Sequence, residues 1–114
     1  MKRLKRKFLP AFKGLKLALQ DRSIRIQLGF ALCALAAAAF FRFEREEWVL
    51  TVLMIGLVIT AETFNTAVER LCDRVCPQQD PLIGKVKDLA AAAVLLASLT
   101  ALVGGAVLVI GHLF

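Results

Sequence analysis

Five polar residues stand out in an otherwise apolar stretch: Glu62, Asn65, Thr66, Glu69 and Asp73. Their spacing puts positions 62, 65/66, 69 and 73 on one face of an α-helix. An acidic group at mid-span in lipid costs about 2.5–3.5 kcal/mol, so several together need a partner or a use. Glu62 follows the uncharged 14-residue run Trp48–Ala61. A carboxylate in such surroundings can take a proton from a hydroxyl. Glu69 lies roughly 10 Å further along the axis, nearer the charged end. It suits a hard cation such as magnesium. For Asp73, beside Arg74, pairing with a basic neighbour explains the residue as well as function does. Lys87-Asp88 stands where a later apolar run begins. A lysine there could meet phosphate oxygens or pair with Glu69, and spacing alone does not choose.

The elements that carry these residues follow from composition. The chain has 114 residues, 59% of them hydrophobic, and a mean hydropathy of +0.70. A water-soluble domain of this size has too little interior for that much apolar surface. Leu89–Phe114 is 26 residues without Asp, Glu, Lys or Arg. Ile26–Phe41 is a shorter run bracketed by Arg25 and Arg42, whose side chains can snorkel. With Trp48–Ala61 extended to about Val75, these make three transmembrane helices, each near the 20 residues a bilayer requires. A secretory signal peptide is the competing account of the first run, through Ala34-Leu35-Ala36. The long basic region before it and the two spans after it argue against that.

Of the 15 Lys and Arg residues, nine lie in the first 25 positions, and the net charge is +6. Positive charge marks the cytoplasmic side. The expected topology has the N-terminus and second loop inside, with the first loop, Arg42–Glu47, and the C-terminus outside. Leu4, Phe8, Phe12, Leu15 and Leu19 recur every three or four residues among lysines and arginines. This predicts an amphipathic helix lying on an anionic leaflet, with Pro10 and Gly14 as points of bending. It serves as an anchor, and its basic end could also help hold an anionic cosubstrate. No aromatic-basic alternation suggests nucleic-acid binding.

Asp80 and Pro81 form an N-cap and first turn, so the last helix starts there or nearer Lys85. Gly84-Lys85 lacks the remaining residues of a phosphate-binding loop. Ala93, Ala97, Ala101 and Gly105 make a small-residue ridge suited to close helix approach, within the chain or between copies of a homo-oligomer. Cys33, Cys72 and Cys76 suggest neither a disulfide nor a metal site. His112 reads as an interfacial residue at the outer end.

The run Ala61–Leu95, AETFNTAVERLCDRVCPQQDPLIGKVKDLAAAAVL, resembles the prokaryotic diacylglycerol kinase family, which includes the undecaprenol kinases. The family pattern is met at Glu62, Asn65, Thr66, Ala67, Val68, Glu69, Asp73, Lys87 and Asp88. The resemblance implies an all-α integral membrane fold, one domain over residues 1–114. It would comprise a surface helix near 1–22 and transmembrane helices near 24–43, 47–75 and 82–114, assembled as a homotrimer with sites shared between neighbours. It implies Glu62 as the base acting on a lipid hydroxyl and Glu69 as ligand to the magnesium that accompanies ATP. Glu69, Gln78, Gln79, Asp80, Lys87 and Asp88 would contact ATP, with Lys87 on phosphate. Asn65 would order the site, and Arg25 would stand beside the substrate. The family usually has a glutamate four residues before an arginine as a second metal ligand. Here Asp21 stands four before Arg25, with a shorter reach.

The expected activity is therefore transfer of the ATP γ-phosphate to a membrane lipid alcohol at the cytoplasmic surface of a bacterial membrane. Arg25-Ile26-Gln27 and Pro81-Leu82 resemble the undecaprenol kinases, which favours undecaprenol over diacylglycerol. Two other classes compete. A small proton-coupled exporter could use intramembrane glutamates without ATP, and a non-catalytic assembly subunit could use the stripe to hold helices together. The exporter reading leaves Lys87-Asp88 and the basic arm unexplained.

Overall fold

The computed structural model describes residues 2–114; Met1 lies outside the described residues. Four helices follow in order: α1 (Lys2–Leu19), α2 (Arg22–Phe40), α3 (Arg45–Val75) and α4 (Pro81–Leu113). The last three are long and apolar enough to cross a membrane. α1 is continuous through Pro10 and exposed along its length except at Ala18. It ends at Leu19 rather than near position 22 because Asp21 begins the next helix. Asp21 is the N-cap of α2, its Oδ1 accepting from the Ser23 N–H at 2.9 Å.

Each helix end has an identifiable cause. Arg42 closes the turn between α2 and α3 at φ 55°, in the left-handed region that non-glycine residues seldom enter. The Arg42 and Phe43 N–H groups donate to Ala39 and Ala38 carbonyls at 3.2 and 3.0 Å, which satisfies the open end of α2. Glu47 then reaches back to accept from the Glu44 N–H at 2.9 Å. At α4, the Asp80 Oδ1 accepts from Leu82 and Ile83 N–H at 2.8 and 3.4 Å, with Pro81 as the first helical residue. Of the two starts open from sequence, Asp80-Pro81 is the one adopted.

α3 is the central element, packing against α4 and, less extensively, against α2. Its 31 residues and the 33 of α4 make rods of about 46 and 50 Å. Both exceed a hydrocarbon layer of about 30 Å, so their ends project beyond it. Gly104 lets α4 approach α3: a Cβ there would meet the Met54 Sδ at 2.5 Å. Ala97 of the small-residue ridge is buried, whereas Ala93 is exposed. The far ends of the two rods are joined by His112. Its Nε2 lies 2.9 and 2.7 Å from the two Glu47 oxygens, and its ring stacks on Phe43 with centroids 5.0 Å apart.

The molecule is flat, with Cα extents of 52 × 44 × 19 Å and a radius of gyration of 17.2 Å. A globular chain of this length would have about 13 Å. Most large apolar side chains of α2–α4 face outward, as lipid-facing helices require.

Candidate active site

α3 carries the polar stripe from the packed interior to an exposed end. Glu62 and Asn65 are buried, at 7% and 8% exposure, whereas Glu69 and Asp73 are exposed. The order in burial within the chain runs the same way as the apolar run before Glu62. Asn65 Nδ2 donates to Glu69 Oε1 at 3.0 Å, one helical turn away. The buried Asn65 Oδ1 has no hydrogen-bond partner among the described residues. A buried, unpaired amide oxygen beside a carboxylate is an acceptor held open.

Asp21 and Glu69 are the acidic neighbours whose charge bears on Glu62. The turn before α2 and the stripe of α3 therefore share one electrostatic field. Asp21 also has a local task, since one of its oxygens caps α2. Arg25, in the first turn of α2, is exposed.

The α3–α4 loop forms a second part. A pocket of about 490 Å³ is lined by Asp73, Cys76, Gln78, Gln79, Asp80 and Lys87, among others. Lys87 forms an ion pair with Asp73 and not with Glu69, one of the two partners weighed from sequence. Asp73 in turn pairs with Lys87 of the neighbouring helix α4, 14 residues away, the kind of basic partner weighed for it from sequence. Cys76 Sγ lies 3.5 Å from the Gln78 carbonyl oxygen, drawing the loop back onto α3. Asp88 is exposed and does not line this pocket. Glu69 bears electrostatically on both Glu62 and Lys87, linking the buried part of the site to the loop pocket.

The donor set fits a hard divalent cation. The acidic groups and the open amide oxygen are oxygen ligands, the kind magnesium takes. Among the described residues no three acidic, imidazole or thiol groups form a ready-made cage.

One contact was missed by reading the sequence. The Glu47–His112 pair joins residues 65 apart, and nothing local signals it. For Asp73 a basic partner was expected, and the structure identifies it as Lys87.

An all-helical chain with three membrane-length helices, a buried carboxylate–amide pair and a basic-acidic loop pocket defines a multi-pass membrane protein with an enzyme-like site. The prokaryotic diacylglycerol kinase family model matches residues 10–109, and the chain belongs to that family. It is 31% identical over 103 residues to a diacylglycerol kinase of Escherichia coli (strain K12), covering 90% of this chain and 84% of that one. It is 32% identical over 88 residues to a diacylglycerol kinase of Haemophilus influenzae, covering 76% and 75% of the two chains. It is 28% identical over 95 residues to an undecaprenol kinase of Bacillus subtilis, covering 82% and 77%. The chain is thus a lipid kinase of a bacterial membrane, which replaces the exporter and assembly-subunit readings.

Proposed function

We propose that this kinase transfers the γ-phosphate of ATP to the primary hydroxyl of undecaprenol at the cytoplasmic face of the membrane. The observation that carries the site is the buried Glu62–Asn65 pair leading to exposed Glu69 on one helix face. A lipid hydroxyl can reach Glu62 sideways from the bilayer, while a nucleotide reaches Glu69 and the loop pocket from water. Glu62 takes the hydroxyl proton as the oxygen attacks phosphorus. Lys87 neutralises phosphate charge, and Gln78, Gln79, Asp80 and Asp88 face the nucleotide. Asn65 orders Glu69 through the bond it already makes, and Arg25 stands beside the substrate. Glu69 and Asp21 would hold Mg2+. When bound, the ion supplies charge neutralisation for the transferring group, the main requirement of phosphoryl transfer.

Undecaprenol rests on Arg25-Ile26-Gln27 and Pro81-Leu82. Diacylglycerol remains a second reading because relatives from Escherichia coli and Haemophilus influenzae bear that name. Both substrates present one primary hydroxyl on a long apolar body. Purified protein with labelled ATP, magnesium and either lipid tests this. Label in undecaprenol at the higher kcat/KM is the expected result, and a clear preference for diacylglycerol overturns the substrate assignment.

The same reading includes a homotrimer with the N-terminus inside and the C-terminus outside. The outward-facing apolar surface and the charge asymmetry support it. So does an apolar groove of about 660 Å³ running across α2, α3 and α4, lined in part by Ala101, Gly105 and Ala106.

A further inference from the structure

Asp73 and Lys87 meet at the mouth of the loop pocket, each from a helix whose end is fixed. α3 ends at Val75, and α4 starts at Pro81 behind the Asp80 cap. The two side chains are 66% and 37% exposed, and both line the pocket. A lysine ammonium has three N–H donors on a flexible stem. One hydrogen bond to Asp73 fixes where the ammonium sits and leaves two donors free. Among the described residues, Asp73 is the only acidic group hydrogen-bonded to Lys87; Glu69 acts on it through charge alone.

We propose that Asp73 is a positioning residue for Lys87. It anchors the ammonium through one N–H so that the other two meet the phosphates of the bound nucleotide in the loop pocket. This rests on the reading of Lys87 as a phosphate contact. Asp73 itself touches neither the lipid nor the nucleotide. The ion pair persists through the reaction cycle, because three donors serve the carboxylate and the phosphates at once. An exposed ion pair changes an equilibrium by up to about fivefold, so the effect is a graded loss of ATP recognition and not a loss of chemistry.

The test compares Asp73→Asn, Asp73→Glu, Lys87→Met and the Asp73→Asn/Lys87→Met double variant. Each is purified in full length, with KM for ATP and KM for the lipid measured separately. Asp73→Asn is expected to raise KM for ATP about three- to fivefold. It should leave KM for the lipid unchanged and kcat within about twofold. Asp73→Glu, which keeps the carboxylate, should recover most of the loss. In the Lys87→Met background, Asp73→Asn should add nothing. The proposal is overturned if Asp73→Asn lowers KM for ATP, which would make the carboxylate a rival of phosphate. A parallel rise in both KM values, the mark of a structural role, also overturns it, as does an undiminished effect in the Lys87→Met background. If Lys87→Met raises KM for ATP while Asp73→Asn has no effect, only the positioning role falls. If Lys87→Met leaves KM for ATP unchanged, the phosphate reading of Lys87 falls and takes the positioning role with it.

Discussion

Glu62 and Asn65 are buried in a packed part of α3, where a polar side chain is costly. Glu62→Gln keeps the shape and removes the proposed base. It should leave the helical content and assembly unchanged and cut turnover by about 10²- to 10⁴-fold. Near-normal turnover in a folded Glu62→Gln protein would remove Glu62 from the reaction. Asn65→Ala releases Glu69 from its anchor. Groups that hold a metal ligand in place are typically worth about tenfold or more in metal affinity. The Mg2+ concentration for half-maximal rate should therefore rise by about that factor, read from a magnesium titration at saturating ATP. The stripe itself was legible, because helical periodicity alone puts residues 62, 65, 66, 69 and 73 on one face. The bond from Asn65 to Glu69, and the oxygen it leaves open, required rotamers that spacing does not supply.

The helices are bounded by local chemistry, and most of it can be read in order along the chain. Asp80-Pro81 announced the start of α4, and the Asp80 side chain makes the cap. Asp80→Ala should destabilise the protein by about 1 kcal/mol, while Asp80→Asn, which can still cap, should cost much less. Thermal unfolding in detergent checks this, and equal losses in the two variants would remove the capping role. The turn after α2 was not legible. Its left-handed residue is Arg42, where helix ends usually place glycine or asparagine. Arg42→Val should lower the unfolding midpoint, because a β-branched side chain tolerates that conformation poorly. Asp21 was read for chemistry and also proves to be a cap. The two tasks are compatible, since a carboxylate has more acceptor sites than one N–H uses.

As a whole the molecule is a thin layer and not a bundle closed on itself. Three helices in a row leave both faces of α3 partly open, and the groove along α2–α4 has small residues on its α4 wall. If copies pack there, Gly105→Leu should fill the groove and shift the assembly toward smaller species, measured by the mass of the protein–detergent particle. An unchanged mass would remove this groove as a contact between copies. Gly105 is the informative site because a Cβ there meets nothing within 4 Å in the chain itself. A leucine there also faces α2 and α3 of the same chain across the groove, so an unchanged unfolding midpoint is needed to assign the shift to contact between copies.

The sequence by itself determined the class of protein, the number of spans and the polar face of α3, and narrowed the start of α4 to Asp80-Pro81 or nearer Lys85. Each follows from forces acting over one or two helical turns: hydropathy, periodicity and capping. Only the tertiary structure decided that Lys87 takes Asp73, that Asp21 comes within the field of Glu62, and that His112 ties the far end of α4 to Glu47. Those pairings depend on how long rods are rotated and offset against one another. Apolar helix surfaces specify that weakly in lipid, where the alternative neighbour is equally apolar. The alignment is set instead by capped turns, by the seating of Met54 against Gly104 and by the few polar side chains that meet across helices.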